Sequence, residues 1–144
     1  MIIDLKKLRN SGNYEENFYF EYIPSENLID LPSAEFDSPI KVLGKVEAFK
    51  DSAYVEMDIT FTVKGECSRC LSEASQTVMV EFSEEFFDDD EGDFTYKNDK
   101  LDLTKAVNDE IMMNMPMILL CKEDCRGLCY KCGKNLNDGK CDCQ

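Results

Sequence analysis

The chain has 144 residues, of which 30 are acidic and 16 basic, and its formal charge is −14. Apolar residues make up 43% and aromatic residues 10%, enough for one small core, so we expect an acidic globular protein rather than a disordered chain. The scarcity of basic residues disfavours a protein that holds nucleic acid mainly by neutralising phosphates. Histidine, the usual general base near neutral pH, is absent. Carboxylates could replace it in acid–base catalysis, but the sequence has no pair of them in a context that suggests a desolvated cleft. The composition therefore favours a protein that is not an enzyme.

The first residues, MIIDLKKLRNSGNY, carry early charges and lack the apolar region of a signal peptide. No stretch approaches the ~20 apolar residues that span a bilayer. We therefore expect a cytoplasmic protein with no membrane partner. Structural disulfides are rare in that compartment, so the eight cysteines need another explanation.

Four segments are expected to be strands: residues 18–23, 40–49, 53–63 and 77–82. The third has the clearest pattern, because apolar and polar residues alternate from Ala53 to Val63. The short polar stretch KDSA separates it from the second, which predicts an antiparallel hairpin. The fold class expected is α+β: a mainly antiparallel sheet, with barrel-like closure as an open alternative, and one main helix.

An acidic run follows the fourth strand. Residues 81–93 include eight carboxylates and no basic side chain. A block of like charges is most often a solvated loop. The functional alternative is a contact surface for a basic partner.

The main helix is expected over about residues 102–115. Asp102 is a plausible N-cap, apolar residues recur at helical spacing, and Pro116 prevents continuation. Methionines at its end either fill the core or line an adaptable groove, and the helical spacing favours the core. We expect a β-rich domain over residues 1–120 and a cysteine-rich, zinc-ribbon-like tail over residues 121–144.

The cysteines are spaced as metal ligands. Two thiolates separated by two residues can bind one tetrahedral zinc ion, because a tight turn directs both sulfurs to one point. Eight ligands predict one or two structural zinc ions, with two closed sites as the full complement. The first set expected is Cys67, Cys70, Cys121 and Cys125, and the second is Cys129, Cys132, Cys141 and Cys143. Cys125 in place of Cys129 is an alternative for the second set, since the two lie four residues apart.

Other interpretations of the cysteines compete with this one. Buried free cysteines would be scattered rather than paired at turns. A thioredoxin-like pair at Cys67 and Cys70 would need a following helix, and both flanks of CSRC are expected to be strands. A different functional class, a zinc-dependent redox sensor or chaperone, would release metal when the clustered thiolates are oxidised.

Several motifs resemble those of the bacterial YceD family. They are CSRC after an alternating strand, LDLT, MPMILLC and the closing CKEDCRGLCYKCGKNLNDGKCDC, and they extend from about Ile40 to Cys143. Tyr130 departs from the family pattern, which usually has proline there. The resemblance implies a role in accumulation of large-subunit ribosomal RNA, without supplying a mechanism.

Charge distribution indicates which partner such a role would involve. Residues 119–144 contain five basic and four acidic side chains and so have a net charge of +1. Because the chain as a whole has −14, residues 1–118 have a net charge of −15. A basic ribosomal protein, or the nascent large subunit carrying it, is a better electrostatic match than bare RNA. RNA contact would be local, at Lys131, Lys134 and Lys140, and no small-molecule substrate is expected.

Overall fold

The computed structural model describes residues 1–24 and 27–143 of the chain. The largest element of the fold is one mixed sheet. Its strands are β2 (Glu15–Tyr22), β3 (Glu35–Phe36), β4 (Ile40–Ala48), β5 (Ser52–Glu66), β6 (Glu73–Asp88) and β7 (Thr95–Tyr96). They are ordered β2-β4-β5-β6-β7, with β3 also paired to β5, and only the short β6–β7 pairing is parallel. A separate antiparallel pair joins β1 (Ile2–Asp4) to β8 (Lys100–Asp102).

The predicted antiparallel hairpin is confirmed. β4 and β5 pair from Lys41 opposite Thr60 to Ala48 opposite Ala53. Alternate β5 side chains are buried, as the period-two pattern requires, and Phe61 is among the largest fully buried side chains. β5 continues into a long pairing with β6, and the turn between these strands carries Cys67 and Cys70.

The sheet is open. Within the described residues, β2 and β7 form its two ends and do not pair with each other. The mainly antiparallel α+β class is confirmed, but the barrel-like alternative is not realised.

The acidic run is mostly strand. β6 extends to Asp88, so Glu81, Glu84 and Glu85 lie on it and only the end of the run forms a loop. Phe82 ends the predicted strand 77–82. The solvated loop predicted beyond it was wrong as far as Asp88, because Phe86 is also buried and holds this segment on the core. The intervening carboxylates remain exposed at the surface of the strand.

Two helices cover the core. The main helix α2 (Thr104–Met113) buries Ala106, Val107 and Ile111, as predicted, and the Asp102 carboxylate accepts a hydrogen bond from the Thr104 backbone N–H at 2.9 Å. The short helix α1 (Leu5–Asn10) was not predicted. It begins after Asp4, whose carboxylate accepts from the Lys7 N–H at 3.1 Å.

The methionines at the end of α2 do not fill the core as expected. Met112, Met113 and Met117 are exposed, and only Met115 packs partly against buried residues. Met112 and Met113 are the last two residues of α2, after its last buried side chain Ile111, and Met117 follows the helix.

The cysteine-rich tail contains one regular element, a 3-10 helix (Leu136–Asp138), among the described residues. Its buried positions are few and include Cys125, Gly127 and Cys129. No helix in residues 1–24 or 27–143 is long and apolar enough to cross a bilayer. The division into residues 1–120 and 121–144 stays a prediction.

Candidate metal centres

The first cluster joins two distant parts of the chain. Cys67 and Cys70 come from the β5–β6 turn, and Cys121 and Cys125 come from the segment after α2. The Sγ atoms of Cys67 and Cys125 are 3.7 Å apart, those of Cys70 and Cys121 are 3.5 Å apart, and all four lie within 4.8 Å of one another. Four sulfurs around a zinc ion, each ~2.3 Å from it, lie about 3.8 Å from one another. The spacing therefore fits one tetrahedral ion.

Hydrogen bonds join the two parts of this cluster. The Ser68 N–H donates to the carbonyl of buried Leu119 at 2.7 Å, two residues before Cys121. The Arg69 guanidinium donates to the Cys125 carbonyl at 2.9 Å. These bonds join the segment after α2 to the β5–β6 turn.

The second cluster lies entirely in the tail. Cys129, Cys132, Cys141 and Cys143 have their Sγ atoms within 4.8 Å of one another, and those of Cys129 and Cys141 are 3.4 Å apart. Cys132 and Cys143 are exposed, whereas three members of the first cluster are buried. The two clusters thus differ in their access to solvent.

The two Cys-x-x-Cys turns share one backbone geometry. The residue after the second cysteine is left-handed in both, with φ of 63° at Leu71 and 77° at Gly133. Its N–H donates to the carbonyl of the first cysteine, at 3.0 Å from Leu71 to Cys67 and 2.9 Å from Gly133 to Cys129. This conformation turns backbone N–H groups toward the first sulfur, and the Lys131 N–H lies 3.4 Å from the Cys129 Sγ.

Electrostatics within each cluster favour a bound cation. Backbone N–H donation, chiefly from Cys70, lowers the pKa of Cys67 to about 6, and donation from Cys132 and Lys131 lowers the pKa of Cys129 to about 6. Desolvation and hydrogen bonds to neighbouring sulfurs raise the pKa of Cys121 to about 12. Hydrogen bonding to Cys132, followed by desolvation, raises that of Cys143 to about 12. Four thiolates at this spacing repel one another unless a cation lies between them.

Asn137 links the tail to the first cluster. This 3-10 helix residue donates from its side-chain amide to the Cys125 Sγ at 3.3 Å and to the Asn135 Oδ1 at 2.9 Å. Its own Oδ1 accepts from the Arg126 N–H at 2.9 Å. A residue of the tail therefore hydrogen-bonds a sulfur of the first cluster, as outer-shell groups do around metal ligands.

The structure brings together the same two sets of four cysteines that the spacing suggested, and it places Cys125 with the first set. All eight are free thiols, so disulfides do not explain the clusters, which can bind metal ions. Ligation by each cysteine stays a prediction. Sequence reasoning missed Arg69 and Asn137, since neither is a metal-ligand residue type. Asn137 is part of the tail motif NLN, the one sequence pattern that includes it.

Known proteins match the sequence of the tail and of the segments that form strands here. Residues 55–144 match the family model described as Large ribosomal RNA subunit accumulation protein YceD. An uncharacterized protein of Mycobacterium tuberculosis is 27% identical over 143 residues, which cover 92% of this chain and 69% of that protein. No solved structure matches the chain.

Two plant relatives match shorter parts of the chain. The Arabidopsis thaliana protein named Large ribosomal RNA subunit accumulation protein YCED homolog 1, chloroplastic, is 39% identical over 44 residues, or 31% of this chain and 14% of that protein. Its namesake in Zea mays is 33% identical over 57 residues, or 39% of this chain and 20% of that protein. The family model covers well over half of the chain, including both cysteine clusters. The chain belongs to the YceD family.

Proposed function

We propose that this protein is a non-enzymatic, cytoplasmic ribosome-biogenesis factor that supports accumulation of large-subunit ribosomal RNA. It binds a basic ribosomal protein, or the nascent large subunit that carries one. The observation that carries the proposal is the family match over residues 55–144, whose description names that role. The plant relatives carry the same words in their names.

Charge supports a protein partner. Residues 1–118 carry −15, which repels a phosphate backbone and attracts a lysine- and arginine-rich protein. RNA contact would be confined to the tail, at residues such as Lys134 and Lys140. The Lys134 ammonium already donates to the Lys140 carbonyl at 2.9 Å, so part of this basic group is engaged within the tail.

Zinc is the metal that we propose for both clusters. Sets of four thiolates select zinc over magnesium or calcium, which prefer oxygen ligands. A site closed by four sulfurs has no open position for water or substrate. The proposed zinc ions therefore stabilise the fold and take no part in a reaction.

The proposal is tested in cells that lack the gene, complemented with wild-type protein or with Asp88→Lys/Asp89→Lys/Asp90→Lys. The wild type is expected to restore large-subunit ribosomal RNA and to capture large-subunit proteins, more strongly at low salt, since the Debye length falls from ~10 Å at 0.1 M to ~3 Å at 1 M. The charge-reversed variant should capture less of the large-subunit proteins while keeping its fold and metal content.

An unchanged level of large-subunit ribosomal RNA in the deletion strain would refute the proposed role. Wild-type binding to naked ribosomal RNA that disappears on neutralising Lys131, Lys134 and Lys140 would refute the protein partner.

Exposure of Cys132 and Cys143 favours a second candidate, the zinc-dependent redox sensor or chaperone. Peroxide would oxidise two thiolates to a disulfide and be reduced to water, with release of the metal. Prompt zinc loss and new apolar exposure at low peroxide would support the sensor. Retention of zinc and fold would favour the structural role.

A further inference from the structure

Two neighbouring grooves share the Phe94 ring. The first, of about 330 Å³, lies between the loop before β7 and the exposed side of α2. The second, of about 490 Å³, lies between that loop and the end of β6. We call the two together the Phe94 surface. Its apolar members are Phe87, Phe94, Ala106, Met112 and Met113.

Large apolar side chains of this surface are exposed to solvent. Met113 is 76% exposed, Phe87 51% and Met112 49%. Methionine is flexible and polarizable, so a methionine-lined surface adapts to the shapes of apolar side chains brought by a partner. Contiguous exposed apolar groups with a polar rim are typical of interaction sites.

Carboxylates surround the apolar floor. They are Glu84, Glu85, Asp89, Glu91, Asp93, Asp109 and Glu110. Lys105 bonds to this rim through Asp109 at 2.7 Å, and Lys97 pairs with the adjacent Asp90. The remaining negative charge excludes RNA and anionic lipid as occupants. A second copy of this chain would bring the same carboxylates face to face.

The centre of the floor, at Phe94, is preformed. The Phe94 ring packs against Phe82 and Phe86, with ring centroids 5.9 and 5.5 Å apart. The Phe87 N–H donates to the Phe94 carbonyl at 3.1 Å and so closes the acidic loop. A preformed surface costs a ligand little ordering entropy when it binds.

We propose that the Phe94 surface docks a lysine- and arginine-rich polypeptide segment that has apolar side chains interspersed among the basic ones. Basic groups of the segment pair with the carboxylate rim, while its apolar groups enter the grooves on either side of Phe94. This inference rests on the proposed function, because it identifies where the basic partner is received and what kind of segment is recognised.

The test measures fluorescence anisotropy of two labelled peptides of equal length and charge with the full chain. One alternates lysine with leucine, and the other alternates lysine with serine. Wild-type protein should bind the lysine–leucine peptide about tenfold more tightly, because only that peptide fills the apolar floor. The double variant Met112→Ser/Met113→Ser should remove this preference. Met117→Ser changes a side chain that is 90% exposed and outside both grooves, and it should leave the preference intact.

Charge is tested by matched triple variants. Glu84→Gln/Glu91→Gln/Asp93→Asn removes three charges from the rim, and Glu21→Gln/Glu47→Gln/Glu56→Gln removes three from strands β2, β4 and β5. The first variant should weaken binding at least several-fold more than the second. Equal affinity for both peptides, or equal weakening by both triple variants, would overturn the proposal in favour of unspecific charge attraction.

Failure of this inference is distinguishable from failure of the proposed function. The Met112→Ser/Met113→Ser protein could lose the peptide preference and still capture large-subunit proteins as well as wild type does. In that case the Phe94 surface is not the docking site. The ribosomal role would stand in that case. If both capture and the peptide preference fall together, the surface is the site of contact.

Discussion

Leu71 and Gly133 occupy the same left-handed position in the two cysteine turns, but only one of them is glycine. A β-carbon at Gly133 would meet no heavy atom within 4 Å, so Gly133→Ala changes the backbone preference and little else. We expect it to cost about 1 kcal/mol, seen as roughly fivefold weaker zinc binding by the second cluster in a chelator competition.

Leu71→Gly provides the opposite change at the first cluster. Glycine removes a left-handed strain of about 1–2 kcal/mol but also makes the unfolded chain more flexible. We expect the zinc-loaded variant to be equal to wild type or up to about 1 kcal/mol more stable in urea unfolding. Leu71→Ala keeps the strain and serves as the control. A Leu71→Gly protein less stable than Leu71→Ala would show that the side chain, which is 59% exposed, contributes more than the turn geometry.

Asn137 is expected to act as a positioning residue for the first cluster. Asn137→Asp keeps the oxygen that accepts from the Arg126 N–H but replaces the amide that donates to the Cys125 sulfur. Metal affinity of the first cluster should fall about tenfold or more, as is usual when an outer-shell partner is lost. Cobalt absorption, which reports thiolate coordination, measures this. Asp138→Asn alters the next side chain and should leave the first cluster unchanged.

The elements that could be predicted are those whose pattern reports burial directly. The alternation in β5 and the apolar spacing of α2 each describe one buried face, and both elements formed as expected. α1 was missed because its six residues show too little periodicity to distinguish it from a turn. The acidic run beyond Phe82 was misassigned because its charge obscured Phe86, the next buried residue of β6. The exposed methionines were misplaced because helical spacing alone does not show which side chains the rest of the fold covers.

Cysteine spacing predicted the composition of the two clusters, but it could not predict the contact between the tail and the first cluster. That contact depends on Asn137, whose amide reaches Cys125 only after the tail has folded back. We still expect that loss of the second metal site leaves the first site and the sheet intact. Cys132→Ser should lower zinc from two equivalents to one, measured by elemental analysis, while the sheet unfolds in one cooperative transition. Loss of both ions, or of neither, would contradict the assignment of two sites.

At the scale of the whole molecule, the first cluster acts as a cross-link between the sheet and the tail. Cys70 and Cys121 are separated by fifty residues that include strands β6, β7 and β8 and all of α2. Closing a loop of that length with a metal removes conformational freedom from the unfolded chain, by about 4 kcal/mol in the chain-entropy description of a comparable covalent link. The buried Cys67, Cys70 and Cys125 also belong to the hydrophobic core, so their metal lies inside the cooperative unit.

Chelation should therefore lower the melting temperature of the sheet itself. An unfolded chain has no preformed site, so binding free energy at the first cluster appears as folding free energy. We expect the far-ultraviolet melt to shift down by many degrees after zinc removal under reducing conditions, and to recover when zinc is restored. Cys132→Ser, which retains the first cluster, should show most of this chelator-sensitive shift, whereas Cys67→Ser should melt low with or without chelator. An unchanged melt after verified removal of zinc from wild type would show that Cys67, Cys70, Cys121 and Cys125 do not stabilise the sheet through a metal.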